Sequence, residues 1–350
     1  MNLLHPLAWV AWATGVVVAL TVTRNPWLLA LILTLIGLIL AQQGRLADRA
    51  DESALPAAPI GVLRFGLLVV TTSALFNVLM VHVGTHVLVT LPSAIPLVGG
   101  PLTLEALVYG ALNGLVLAGL FAAFSVINRV LPVRAMLRLV PRAYYPTAVV
   151  MSIAVTFAPS TLQQIQQVRE AQAVRGHRMA GARSWLPLLV PLLEGSLERS
   201  MQLAEAMVAR GFAAGEAAPD RRPQLLMIAG MGAWLVGWLL QLAWQQTIPG
   251  TALLVAGATL LLLGLWWAGR AHPHTVYRPA AWHVRDLFVI AGSGVTTLAY
   301  LAPWPWLDRS PLFYYPYGAL AWPPVSWPLL IFTLGLAAPL AVTPVRKGAV

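Results

Sequence analysis

An all-α, polytopic membrane helix bundle is the fold class this sequence predicts, on three observations. Hydrophobic residues fill 59% of the 350 positions and charged residues only 10%, with a mean hydropathy of +0.75, a balance foreign to water-soluble domains. The apolar residues gather into runs long enough to cross a hydrocarbon core, which takes about 20 residues per helix. Between these runs lies one stretch, residues 129–222, that is charged and amphipathic instead.

The first run, 7–22, has no Lys or Arg ahead of it, and a second run, 27–41, follows directly after Arg24, Asn25 and Pro26. It therefore reads as a helix of the mature chain and not as a cleaved leader. Runs 61–81 and 101–127 complete an N-terminal transmembrane block, residues 1–128. Beyond the charged stretch, runs 224–243, 251–268, 286–302 and 325–342 form a C-terminal transmembrane block, residues 223–350.

Charge sets the expected orientation. The net charge is +10, and 12 of the 22 basic residues fall between Arg129 and Arg222, so the positive-inside tendency places that connection in the cytoplasm. Arg45 and Arg49, Arg270, Arg278 and Arg285, and Arg346 with Lys347 then fall on the same side, while 82–100, with no Lys or Arg, falls outside. Both termini are expected to be cytoplasmic. The arginines sit beside spans with no soluble domain to present them, which speaks for anionic lipid headgroups and against nucleic acid. Having no cysteine, the chain has no disulfide, iron–sulfur cluster or thiolate zinc site.

Inside the connection, Tyr144 to Ala158 is apolar but bounded by Pro146 and Pro159. Those prolines leave too few residues for a span, so this piece is predicted to lie partly in the membrane. Ser160 is an N-cap candidate, and "TLQQIQQVREAQAVRG" predicts a polar helix stopping at Gly176, a natural left-handed terminator. A second helix is predicted after Pro187 up to Gly211, with Leu193, Leu197, Met201, Ala204 and Val208 on one face and Glu194, Glu198 and Glu205 on the next. It is expected to lie flat at the membrane boundary or to cross the first helix so that both apolar stripes are buried. Between 303 and 328, Trp304, Trp306, Phe313, Tyr314, Tyr315, Tyr317, Trp322 and Trp327 read as an interfacial aromatic belt on the outer side.

Arg175 and Arg210 each stand in the last turn before a terminating glycine, 35 residues apart. A cation there complements the helix dipole, so either one alone reads as a self-cap. Two on one cytoplasmic connection point to a docking surface, because a guanidinium binds carboxylates through a bidentate fork and stays charged when desolvated. His82 and His86, and the group His272, His274 and His283, lack a carboxylate at ligand spacing, so no metal is expected. Glu105, at the edge of its span, reads as a charge favoured at a helix N-terminus. Nothing resembles GxxxxGK[ST], and the one lysine is Lys347, so ATP hydrolysis would belong to another chain.

Four segments together, "TRNP" at 23–26, "GGPLTLEALVYG" at 99–110, "REAQAVRGHR" at 169–178 and "PLLEGSLERSMQLAEAMVARGF" at 191–212, resemble the transmembrane T component of energy-coupling factor (ECF) importers of vitamins and metal ions, over about residues 1–240. The resemblance implies a non-catalytic membrane scaffold. It would hold a small substrate-binding membrane protein and two P-loop ATPase subunits, with ATP and Mg bound by the ATPases and no cofactor in this chain. It further implies cytoplasmic coupling helices over 129–222, whose two motifs enter grooves of the ATPases. By position these are Val174, Arg175 and Gly176, and Ala209, Arg210 and Gly211. Val174 stands where alanine is common in the family. Roughly 110 residues continue past the resemblance, and no motif assigns them a role. Two alternatives compete: an integral membrane enzyme using His272, His274, Asp286 or Glu105, and a self-sufficient channel or secondary transporter, which should show intramembrane charges in matched halves. The first has its groups spread over different loops and the second faces nearly charge-free spans.

Overall fold

Backbone groups in a bilayer must be satisfied within the segment, and the apolar runs accordingly become helices. The computed structural model describes residues 4–47, 61–92, 99–176, 185–212, 221–270, 281–302, 304–317 and 321–342. In order, the elements are α1 (Pro6–Val22), α2 (Pro26–Ala47), α3 (Val62–Met80), an antiparallel ribbon of β1 (Val87–Thr90) and β2 (Pro101–Thr103), α4 (Leu104–Val130), α5 (Val133–Leu137), α6 (Tyr145–Val174), α7 (Leu186–Ala209), α8 (Arg221–Ala243), α9 (Thr247–Arg270), α10 (Val284–Leu301), α11 (Trp327–Thr333) and α12 (Ala338–Val342). Among the described residues seven helices, α2, α3, α4, α6, α8, α9 and α10, are long and apolar enough to cross a membrane. The chain is a polytopic all-α bundle.

Two elements differ from the sequence expectation. Tyr144 to Ala158 and the polar segment after Ser160 form one helix, α6, of 30 residues that runs straight through Pro159. Pro146 sits in its first turn, where the missing N–H costs nothing. Ser160 is therefore no N-cap: its hydroxyl lies inside the helix and donates to Phe157 O at 2.8 Å. The last apolar run, 325–342, is broken into α11, a 3₁₀ turn Leu334–Ala337 and α12. Carbonyls near the break are engaged from other helices, Phe332 O by Thr296 Oγ1 at 2.6 Å and Leu336 O by Trp12 Nε1 at 3.0 Å.

The chain divides into two compact units, residues 1–132 with 279–350, and residues 133–278. In the first, α1 and α10 run parallel. Gly15 lets them close, since a Cβ there would stand 3.2 Å from Ser293 O. At their N-terminal end the buried Asp286 accepts from His5 N at 2.7 Å and from His283 N at 2.9 Å, one carboxylate serving two helix N-termini, where negative charge is favoured. At the other end the α1–α2 turn is clasped by the segment after α10. Thr23 Oγ1 and Arg24 N both donate to Leu312 O, at 3.3 and 2.9 Å, and Asn25 Nδ2 donates to Pro311 O and Pro324 O, each at 2.8 Å. Trp9, Trp12, Leu20, Leu29, Ile32, Ile36 and Ile39 fill the space between. On the far side, Gly110 and Gly114 of α4 let the α3 backbone approach, and Ser73 Oγ donates to Gly110 O at 2.8 Å, the small-residue packing that holds membrane helices together.

The second unit contains two antiparallel pairs, α6 with α7 and α8 with α9. The α8–α9 pair is a glycine seam: Gly230 and Gly237 face Gly257 and Gly250, and a Cβ on Gly237 would stand 2.8 Å from Leu254 N. The apolar side chains of α8 and α9, among them Leu225, Trp234, Leu239 and Leu262, point outward, as they should when lipid is the solvent.

The Asn25 clasp is directly testable. Asn25→Ala leaves the buried Pro311 carbonyl without this donor, at about 1–3 kcal/mol for a lost buried partner, and frees the more exposed Pro324 carbonyl as well. The variant is expected to unfold at clearly lower temperature in detergent than the parent chain.

Candidate docking site

The predicted motif residues stand at the ends of α6 and α7, and the way these helices pair fixes where those ends lie. Gln172 Nε2 donates to Pro187 O at 3.4 Å, Gly195 packs on the Gln164 amide, and the Arg199 guanidinium reaches Ser160 Oγ at 3.1 Å and Gln164 Oε1 at 3.2 Å. Residue numbers rise on one helix as they fall on the other, so the pair is antiparallel. The ring of Phe212, just past α7, stacks at 6.4 Å on Tyr145, the first residue of α6. The two C-terminal ends therefore lie at opposite ends of the pair. Arg175 and Arg210 are not neighbours.

The two ends are built alike. Arg175 and Arg210 follow the last helical residue, and the next residues, Gly176 and Gly211, have φ of +79° and +77°. That left-handed conformation suits glycine and turns the chain away so that the last carbonyls find donors. Gly176 N bonds Ala173 O and Gly211 N bonds Val208 O, both at 2.9 Å, and Phe212 N closes the second end on Met207 O at 3.0 Å. Val174, Arg175, Gly176, Ala209, Arg210 and Gly211 are all exposed. Each end presents one guanidinium on a stiff rod, with no side chain on the residue after it. Arg178, beyond the first motif, lies outside the described residues.

The expected burial of apolar stripes by crossing is not what the structure shows. The face of α7 turned to α6 carries Leu188, Leu192, Gly195, Ser196, Arg199 and Leu203, while Leu193, Leu197, Met201, Ala204 and Val208 are exposed. Three leucines, two small residues and one arginine meet α6, and the stripe of Leu193, Leu197, Met201, Ala204 and Val208 faces outward. Sequence periodicity finds the stripe but not its direction, because the contacts of Arg199 with Ser160 and Gln164 join residues far apart in the chain.

Other candidates are taken up structurally. Glu105 is fully buried, and its Oε1 accepts from Thr85 N, Thr85 Oγ1 and His86 N at 2.9 Å and pairs with His86 Nδ1 at 2.8 Å. It thus ties the segment between α3 and β1 to the start of α4. His82 packs on Gly100, away from this pair. Asp286 joins α1 to α10 as described, and His283 is its neighbour in the α10 cap. His272 and His274 lie outside the described residues. Of the aromatic run, Tyr315 and Tyr317 pack on Tyr109 of α4, and Tyr317 OH donates to Asn77 Oδ1 at 3.3 Å. Burial, with Tyr109 beside it, pushes the Tyr317 hydroxyl above its ordinary value.

Two comparisons with known proteins bear on this geometry. The family described as CbiQ, cobalt transport protein, matches residues 1–220. The energy-coupling factor transporter transmembrane protein EcfT of Bacillus selenitireducens is 29% identical over 216 residues, which cover 57% of this chain and 75% of that relative.

The helix ends carry their own test. Gly211→Ala meets no steric obstacle but places a Cβ in the left-handed region, at about 1–2 kcal/mol. Amide exchange at Arg210–Phe212 should speed up about 5- to 30-fold, the equivalent of that energy, with the middle of α7 unchanged.

Proposed function

The chain belongs to the CbiQ cobalt-transport family, and from that premise we propose that it is the transmembrane scaffold of an ATP-driven ECF-type importer whose α6–α7 pair couples two separate ATPase subunits to the membrane. The family supports a transport role for a membrane subunit without catalysis of its own. The proposal adds the partners: two P-loop ATPases, which bind the ATP and Mg, and a small membrane protein that binds the micronutrient.

The observation that carries it is the placement of two like Arg-Gly ends at opposite tips of one antiparallel pair. From the Arg199–Ser160 contact, Arg175 is 15 residues away along α6 and Arg210 is 11 away along α7. At 1.5 Å per residue the tips are up to about 40 Å apart. One small groove cannot take both, whereas two subunits, each with an acidic groove, can take one each. Closure of the two ATPases around ATP would then draw or turn both tips at once, a motion with a defined input at each end.

Both tips must face the same compartment for this to work, and the pairing supports it. By the contacts of Arg199 with Ser160 and of Phe212 with Tyr145, Glu205 on α7 lies beside the apolar half of α6, residues 145–159, with Glu198 and Arg199 at its edge. Standing upright across a bilayer, the pair would hold the Glu205 carboxylate at the depth of its apolar half, at about 2.5–3.5 kcal/mol for an acidic residue near the centre. Lying flat at the cytoplasmic boundary, it presents Leu193, Leu197, Met201 and Val208 to lipid and its charges to water. The membrane is then the cell membrane, with the basic connection and both termini on the cytoplasmic side.

The enzyme reading finds no convergent site among the described residues. Asp286 is at the N-terminal end of α1 and Glu105 is near the opposite end of the same unit, where Tyr109 meets the segment that clasps Asn25.

Arg175→Ala with Arg210→Ala tests the proposal. Removing a guanidinium paired with a buried carboxylate costs on the order of 2–5 kcal/mol, so the purified double variant should lose its ATPase subunits and membranes carrying it should lose uptake. Retained subunits with undiminished uptake would refute the reading.

A further inference from the structure

We propose that Arg199 is the positioning residue of the coupling pair: its guanidinium pins α7 to α6 at a joint in the middle of the pair and so fixes the distance between the Arg175 and Arg210 tips. The inference rests on the reading above for its consequence but on separate contacts for its geometry.

The joint is made of four residues. Arg199 donates through its two terminal nitrogens to Ser160 Oγ and Gln164 Oε1, which lie one turn apart on α6. A planar fork on two acceptors of one helix resists both sliding and rotation, which a single ammonium cannot do. One turn earlier on α7, Gly195 has no side chain, and a Cβ there would run into the Gln164 amide; the glycine leaves room for the Gln164 side chain that Arg199 uses. Ser160 is held in turn by donating to Phe157 O at 2.8 Å, so the acceptor Arg199 uses cannot swing away.

Each helix also carries a proline close to the joint. Pro159 in α6 and Pro191 in α7 lack the N–H that would bond Val155 O and Pro187 O. Pro187 O is reached instead by Gln172 of α6 at 3.4 Å. A helix that has lost a rung bends most easily there. With both rods weakened next to their contact, a tip displaced by a partner would be absorbed as a bend unless something holds the contact. Arg199 is the charged group placed to hold it, and the apolar and small residues on the rest of the α7 face can slide.

The absence of cysteine gives the test a clean background. Ala171→Cys with Ala206→Cys puts one spin label on each rod, both at exposed sites outside the motifs. The parent chain should give one narrow label–label distance, and Arg199→Ala a broad distribution. In the complex reconstituted with its ATPases, Arg199→Ala should keep both subunits bound and keep hydrolysing ATP. Uptake per ATP should fall about 2- to 30-fold, the range for residues that carry coupling without touching a ligand. Arg199→Lys should lie between, and adding Gln164→Ala to Arg199→Ala should cost nothing further, because both remove one contact. An unchanged distance distribution, a broadened one with unchanged uptake per ATP, or loss of the ATPases from Arg199→Ala would each overturn the proposal. If the parent chain itself binds no ATPase, the scaffold reading fails, while the label distances still decide whether Arg199 sets the joint.

Discussion

The antiparallel register of α6 and α7 is the constraint on which the functional geometry depends. With the same residues in a parallel pair, Arg175 and Arg210 would sit side by side and form one basic patch for one partner. Antiparallel pairing converts two local, self-contained helix ends into two distant ones. The exposed stripe of α7 does not set the register, since Leu193, Leu197, Met201 and Val208 face outward while Leu188, Leu192 and Leu203 turn to α6. Directional contacts mark it, the hydrogen bonds of Gln172 and Arg199 and the packing of Gly195 on the Gln164 amide, which suits a place where lipid makes apolar contact nondirectional.

The same reasoning explains the residues that continue past the family match. Residues 281–342 are built into the first unit: Asp286 holds His5 at one end of α1, and the carbonyls of Pro311, Leu312 and Pro324 hold Thr23, Arg24 and Asn25 at the other. "TRNP", read as one motif among several, is therefore the place where the N-terminal turn receives the extension. The buried Thr23 hydroxyl and Asn25 amide nitrogen find their acceptors in it, so the extension is a structural part of the unit and not a tethered appendage.

What was legible in the sequence was local. Apolar runs gave the spans because a bilayer forces helix on any long apolar segment. Gly176 and Gly211 announced helix ends because a positive φ is a property of one residue. Features that depend on a second segment were not legible. Pro159 looked like a boundary, but α6 passes through it. The run 325–342 looked like one span, but Thr296 and Trp12 take carbonyls near its middle. Arg199 carried no signal beyond being an arginine on a helix, because its partners are 35 and 39 positions away in sequence. His82 and His86 share a spacing of four, yet His86 pairs with Glu105 while His82 packs on Gly100, since the segment after α3 is no longer helical.

The contrast between the two antiparallel pairs of the second unit bears on how force can pass through it. The α8–α9 seam interlocks backbone against backbone, with glycines repeating every seventh position and Cβ clearances below 3 Å at several of them. Such a surface cannot slide without a clash, so the pair behaves as one rigid rod. The α6–α7 pair touches closely at Gly195 and is joined there by side chains that can be re-formed at low cost. Under the proposed coupling role, movement of the helix ends uses both kinds of contact: one that does not yield, to define a frame, and one whose few directional bonds can hold or release a register. The first needs glycines that the lipid-facing spans can supply anywhere, whereas the second needs a charge next to two acceptors, and in lipid that is tolerable only where the pair lies at the boundary with water.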